Sequence, residues 1–257
     1  MCTVAAALPG QETLIASWAA LAQLSPGARL IRSSTAVAAV FPVWAPLNNA
    51  IMLTAPNEAA TAFAASQLAP MFANAGVREW ALWVPSGTTD LDAPDGLGEV
   101  SGLRRDTTTL VMRATLPQGL RQHDSVIRTS IATATRATDE PVPAPDIEEP
   151  EGIPNLSGWV LLHDAVAVAG AWSFLQDSDC GIYAVGTVPR WRRQGFARAL
   201  VEHVLADGQL RGARTATLQS TRMGQPLYES LGFQPAGRYE EWAATELRAD
   251  AIRSMSP

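Results

Sequence analysis

Residues 185–200 read VGTVPRWRRQGFARAL, and the change of character inside this stretch decides how the second half of the chain folds. The run up to Val188 suits a strand, which Pro189 closes because proline cannot donate to a ladder. Beyond Gly195 the apolar residues Phe196, Leu200, Val201, Val204 and Leu205 recur at helical spacing and make one buried stripe. Between strand and helix lies the basic turn Arg192-Arg193-Gln194-Gly195. The amides of Arg193, Gln194, Gly195, Phe196 and Ala197 fall at the helix start, where N–H groups lack partners and the helix adds about half a positive charge. Such an end suits a phosphate. Gly195 lets backbone approach an anion without a Cβ, Ala197 lets the helix start pack closely, and Arg192, Arg193 and Arg198 add charge. Basic, glycine-containing helix starts also occur without a ligand, so the turn alone leaves both readings open.

Working outward, residues 215–219 read as a short strand, and residues 226–231 as a short helix with Pro226 in its first turn and Gly232 as its stop. Residues 238–243 form a final strand. Upstream, residues 181–188 are a strand, and residues 158–162 and 165–174 a hairpin across His163-Asp164. The stretch TDEPVPAPDIEEPEGIP, residues 138–154, has no apolar periodicity and reads as an exposed loop dividing two regions. Before it, residues 35–54 read as one or two strands broken at Pro42 and Pro46. Residues 58–75 read as a helix capped by Asn57, and residues 79–84 and 107–114 as strands. This half is α/β with no visible active-site motif. Trp44, Trp80 and Trp83 are expected in its core.

The run at residues 185–200, followed by LQSTRMGQPLYESLGF at residues 218–233, resembles the GNAT superfamily of N-acetyltransferases. Arg192, Gly195 and Ala197 occupy the three specified positions of that family's Gln/Arg-x-x-Gly-x-Gly/Ala loop, and residues 227–233 match its LYE-x-LGF-like helix. The resemblance implies an α/β fold with a mixed, mostly antiparallel sheet flanked by helices, and acetyl-CoA as co-substrate. It implies that backbone groups of Val185, Gly186 and Thr187 bind the pantetheine arm as an added strand, with Gly186 suited to a bulge. The backbone from Arg193 through Gln194, Gly195, Phe196 and Ala197 to Arg198 would hold the pyrophosphate. Tyr228 matches the tyrosine that protonates the departing thiolate, and the acetyl group passes directly to a primary amine of a small molecule or peptide in a ternary complex. Where many members carry Asn after the next strand, this chain has Ser220-Thr221.

On this basis residues 119–257 are expected to form the acetyl-CoA-binding domain, and residues 1–118 an α/β domain that could be a degenerate copy of the same fold. The second half lacks the usual opening strand and two helices unless residues 122–135 supply part of them. A non-catalytic acyl-CoA sensor is the alternative function, because no general base stands out. Asp177, Asp179, Glu240 and Glu241 are candidates, each more often a solvated charge. His163 reads as an exposed turn residue and His203 as solvent-facing, while His123 has no partner visible in sequence.

Composition narrows the rest. The 257 residues carry a formal net charge of -6, which disfavours a nucleic-acid surface. There is no lysine, so Schiff-base chemistry and a Walker-type loop are excluded. Cys2 and Cys180 form neither a disulfide framework nor a zinc motif. The start lacks a basic signal region and no apolar run reaches spanning length, so a cytoplasmic protein away from membranes, monomeric or homodimeric and without a bound metal, is expected.

Overall fold

The structure, a computed structural model, describes residues 7–42, 49–93, 103–117 and 119–244. Cys2, Trp44 and the break expected at Pro46 lie outside the described residues. In chain order the elements begin α1 (Gln11–Leu21), β1 (Arg29–Arg32), β2 (Ala36–Val40), β3 (Asn49–Leu53), α2 (Glu58–Phe63), a π-helical turn (Ala64–Leu68), α3 (Ala69–Asn74), β4 (Trp80–Ser86) and β5 (Leu103–Thr115). There follow β6 (Val126–Thr129), α4 (Ile131–Arg136), β7 (Val142–Pro143), β8 (Leu156–His163), β9 (Val166–Gln176), β10 (Asp179–Thr187), α5 (Phe196–Leu210), β11 (Thr215–Ser220), α6 (Gln225–Glu229) and β12 (Gln234–Ala244). Together they make a mixed α/β fold with a large, mostly antiparallel sheet flanked by helices.

The chain divides into two compact units that interleave along the sequence. The first gathers the described residues of 1–8, 21–111 and 235–257, and the second those of 9–20 and 112–234. In the first the strand order is β1-β2-β3-β4-β12-β5, with β3 and β4 parallel. β2 and β3 are buried at every residue, as strands covered on both faces must be. Ala38, Ile51, Leu82 and Val84 pack against Leu68 and Phe72 of the helical layer. The helix expected over residues 58–75 is capped by Asn57, whose Oδ1 accepts from the Ala60 amide at 2.8 Å. It widens into the π turn before Pro70, which enters in the first turn of α3. A proline there costs no more than a missing N–H at a segment start, where inside an unbroken helix it would also collide with the preceding turn. Trp83 is buried and Trp80 stacks on Phe72 at 5.2 Å, so both serve packing as expected. The strand at residues 238–243, read as closing the second half, instead pairs with β4 from Arg238↔Ser86 to Ala243↔Ala81.

In the second unit the order is β11-β10-β9-β8-β6, with β10 and β11 parallel and the other paired registers antiparallel. The β8–β9 hairpin turns at Asp164-Ala165, one residue later than expected, with both residues at positive φ (50° and 60°) as a primed turn demands. β6 and α4 supply the opening strand and one helix. α1 joins the same unit, where Thr13 Oγ1 donates to Asp179 Oδ2 at 2.7 Å. The acid- and proline-rich stretch does not divide the halves but folds onto α4. The α4 cap, Ser130, donates from its hydroxyl to Glu148 at 2.6 Å, the Ile131 amide donates to Glu151 at 2.6 Å, and β7 pairs with β9. Glu151 thus meets an otherwise unpaired N–H of the first helical turn, and Glu148 holds the hydroxyl of the cap.

A track of glycines seats α4. A Cβ on Gly158 would meet the Thr129 and Ser130 carbonyls, one on Gly170 the Ala134 carbonyl, and one on Gly186 the Thr138 side chain. Ser130, Ala134 and Thr138 recur every four residues, so one line along α4 and its exit rests directly on sheet backbone. Gly158 faces α4, whereas the adjacent Trp159 faces the other way, its ring 5.2 Å from His203 of α5, so the two helices cover opposite faces. A Gly170→Ala substitution drives a methyl into the Ala134 carbonyl. We expect a loss of about 1–3 kcal/mol of stability with an unchanged denaturant slope; an unchanged midpoint of urea unfolding would contradict the seating.

Candidate functional site

The site begins with a ladder that stops. β10 pairs with β11 from Asp179↔Thr215 to Ile182↔Leu218 and no further, although both strands continue. On its other side β10 stays paired with β9 out to Thr187↔Ala169, but the register shifts between Tyr183 and Gly186. Ala184 and Val185 stand opposite Ala171 alone, and Ala184 takes a left-handed φ of 50°. This is a β-bulge, and it bends the strand and leaves ladder groups unpaired. The expectation for Gly186 is thereby corrected: the bulge residues are Ala184 and Val185, and Gly186 provides room for Thr138 instead.

Past the end of the β10–β11 ladder lies a cleft of about 660 Å³. Val185, Gly186 and Thr187 form one wall, Arg192, Arg193, Gly195, Phe196, Ala197 and Arg198 another, and Tyr228 closes it with Gln219, Thr221 and Met223. Every residue assigned to the site from sequence lines this cleft except Gln194, which turns away and donates to the Arg190 carbonyl at 3.4 Å. The sequence also gave no hint of Thr138 and Asp139, because nothing local marks the end of α4 as part of a site.

At the helix start, Gly195 is the N-cap at φ 88° and Arg193 precedes it at φ 61°. The Ala199 amide closes on the Gly195 carbonyl at 3.0 Å, which leaves the N–H groups of Phe196, Ala197 and Arg198 without intrahelical partners. An added Cβ at Gly195 would meet nothing within 4 Å, so its backbone angle rather than crowding calls for glycine. Two of the arginines do structural work as well. Arg192 Nε donates to the Thr187 carbonyl at 2.9 Å and ties the turn to the strand end. Arg198 pairs with Glu202 at 2.9 Å and donates to Ser230 Oγ at 2.8 Å, linking α5 to the end of α6. Arg193 is exposed at the rim.

Tyr228 is buried at 7% exposure yet lines the cleft. Its ring meets Phe233 edge-on at 5.9 Å, and Gly224 leaves space for it, since a Cβ there would lie 3.0 Å from the ring. Burial pushes its phenol up from 10.0 to about 12. Where a family Asn was missed in the sequence, Thr221 Oγ1 accepts from the Gly224 amide at 3.3 Å and Ser220 donates to the Thr221 carbonyl at 2.8 Å. These hydroxyls shape the turn into α6.

The candidate bases have other employment. Asp179 accepts from Thr13, Thr215 and Thr217, each at 2.7 Å. Asp177 is a turn residue at φ 53°. Glu240 and Glu241 belong to the first unit, where Glu240 forms a fully buried pair with Arg238 at 2.6 Å. Burial raises Glu241 to about 7, against the opposing hydrogen bond from Thr109 at 3.2 Å. His203 does not face solvent but is buried at 8% exposure, with Nδ1 accepting from the His123 amide at 3.0 Å; burial lowers its pKa. His123 has a partner after all, Glu202 at 3.1 Å. His163 is exposed, as expected, beside Phe196. Among the described residues no cluster of three potential metal ligands occurs, and no helix is long and apolar enough to cross a membrane.

Residues 154–235, which contain the bulged strand, the helix start and Tyr228, match the family model of the acetyltransferase (GNAT) domain. This segment is a GNAT domain. Over 80 residues the chain is 37% identical to the ribosomal-protein-alanine N-acetyltransferases of Escherichia coli and Shigella flexneri, a match covering 30% of this chain and 54% of each relative. The chain thus spans about half the length of the curated relatives it matches. Among solved structures, a GCN5-related N-acetyltransferase from Kribbella flavida superposes with a TM-score of 0.57 at 18% identity, covering 90% of this chain and 96% of that one. A GCN5-related N-acetyltransferase-like protein from Streptococcus suis gives 0.51 at 14% identity, covering 91% and 93%. These likenesses show that the fold extends beyond the GNAT domain proper.

Within the GNAT domain the Asp179 hub separates structure from chemistry. We expect Asp179→Ala to lose about 2–4 kcal/mol of stability, because three hydroxyls lose a charged acceptor. Stability should fall in chemical denaturation; a variant of wild-type stability would contradict this.

Proposed function

We propose that the chain is an acetyl-CoA-dependent N-acetyltransferase that passes an acetyl group to a primary amine of a small molecule or peptide by direct attack in a ternary complex. The observation that carries this is the combination of a strand freed from its neighbour by a bulge, a helix start with free amides, and a buried tyrosine, all lining one cleft. The similarity to alanine N-acetyltransferases supports an amine as acceptor.

The cleft fits such a co-substrate. Free backbone groups between Val185 and Thr187 would take the pantetheine amides as an added strand, and the N–H groups of Phe196, Ala197 and Arg198 would take the diphosphate. Acetyl-CoA supplies the activated acyl group as a thioester. An amide at Val185 or Gly186 would donate to the carbonyl oxygen as negative charge gathers there. As the new C–N bond forms and the C–S bond breaks, Tyr228 gives its proton to the sulfur and the amine's proton leaves to water. A phenol near 12 is a poor spontaneous acid but holds its proton at every working pH, and it is recharged from solvent after each turnover.

The acceptor's own pKa governs the need for a base. A lysine-like amine near 10.4 costs roughly 4 kcal/mol to deprotonate at pH 7.5, whereas an α-amine near 8 costs almost nothing. The carboxylates at Asp179 and Glu240 are engaged elsewhere, which favours an acceptor of the second kind.

The test is thiol release from acetyl-CoA with a panel of amines. We expect Tyr228→Phe to lower kcat by about 10²–10⁴ with little change in CoA affinity. Because the Tyr228 pKa is raised, its acid form persists through the alkaline range, so kcat should show no descending limb below about pH 10 that Tyr228→Phe abolishes. Saturable CoA association without amine-dependent thiol release would instead make the domain an acyl-CoA sensor.

A further inference from the structure

The charged side chains along the cleft are unequally distributed. Arg192, Arg193 and Arg198 belong to the turn and helix start, and among the described residues a single carboxylate, Asp139, lines the cleft. Asp139 is not placed there by a wandering loop. The glycine track holds α4 at backbone contact, and Gly186 receives Thr138, so the residue that follows is delivered beside the bulged strand. Thr138 Oγ1 donates to the Thr135 carbonyl at 2.8 Å and the Asp139 amide to the Arg136 carbonyl at 3.2 Å, which continues the helical winding through Asp139. The cation nearest in sequence, Arg136, is turned to Glu140 at 3.7 Å and to the Asp146 carbonyl at 3.2 Å. Asp139, which is exposed, therefore brings to the cleft a carboxylate that forms no ion pair among the described residues, while the other charges there suit a diphosphate.

We propose that Asp139 is the acceptor-binding residue: its carboxylate pairs with the ammonium of an aliphatic primary amine or peptide amino terminus and holds that nitrogen beside Ala184–Gly186. The assignment rests on the acetyltransferase reading and adds the charge class of the acceptor. This carboxylate attracts a cation where the arginines attract a diphosphate, so charge sign tells the two substrates apart within one cleft. The pair acts before deprotonation, by concentrating the protonated acceptor, and the proton is then lost to water as the nitrogen turns to the thioester.

The experiment compares wild type, Asp139→Asn, Asp139→Glu and the exposed-charge control Glu149→Gln, each assayed for thiol release with aliphatic amines, which are cationic at pH 7.5, and with arylamines, which are neutral there. Asp139→Asn should raise KM for the cationic acceptors at least about fivefold, with KM for acetyl-CoA and for arylamines unchanged. Asp139→Glu should recover part of the effect, and Glu149→Gln should match wild type. An unchanged KM for cationic amines in Asp139→Asn, or an equal loss with arylamines, overturns the Asp139 assignment and leaves the acetyltransferase reading standing. Wild type that releases no thiol with any amine overturns both.

Discussion

The structure of the site depends on one broken ladder. β10 must leave β11 after Ile182 while remaining attached to β9, and the bulge at Ala184–Val185 accomplishes both. A non-glycine residue in the left-handed region costs about 1–2 kcal/mol, which the flanking pairs from Asp179 to Tyr183 and from Gly186 to Thr187 must offset. What the fold gains is a strand edge with free backbone groups facing a cleft, next to a helix start whose amides are also free. Two incomplete hydrogen-bond networks thus meet in one place, and under the proposed function a ligand with amides at one end and phosphates at the other would complete both.

Much of this was legible in the sequence because the groups concerned are local. A proline-terminated strand, a basic turn with Gly195 and an apolar helical stripe are all read within residues 185–205, and the structure brings them together as the walls of the cleft. The bulge is the exception: the sequence points to Gly186, whereas the left-handed residue is Ala184 and Gly186 is needed for its missing side chain. A close approach between a helix and a sheet leaves no local mark in sequence. For the same reason the i, i+4 alignment of Ser130, Ala134 and Thr138 over three glycines, and with it the position of Asp139, could not be read beforehand.

The interleaving of the units was hidden for a different reason. α1 buries Leu14, Ile15, Trp18 and Leu21 together with Gln11, Thr13 and Ser17, so it has no polar face and no amphipathic stripe to betray a helix. Its attachment through Thr13 to Asp179 is a long-range contact that no pattern within residues 11–21 encodes. β12 was recognised as a strand, yet its partner β4 lies about 150 residues earlier, and period-two alternation says nothing about which strand lies alongside. Likewise the acidic run at residues 138–154 has the composition of a linker, but Glu148 and Glu151 act as acceptors for the donors at the start of α4. Charge in a polar segment can satisfy a helix end as readily as it can meet water.

The central claim is that the free amides around Gly195 receive a diphosphate beside the bulged strand. Calorimetric titration of the full chain with CoA tests it most directly, run in parallel on a Gly195→Glu variant whose melting temperature has been measured. The account predicts one saturable site in the wild type and at least about tenfold weaker association in the variant, whose melting temperature reports the cost of placing a side chain at a left-handed φ of 88°. No saturable association in the wild type, or equal affinity in both proteins, would contradict it.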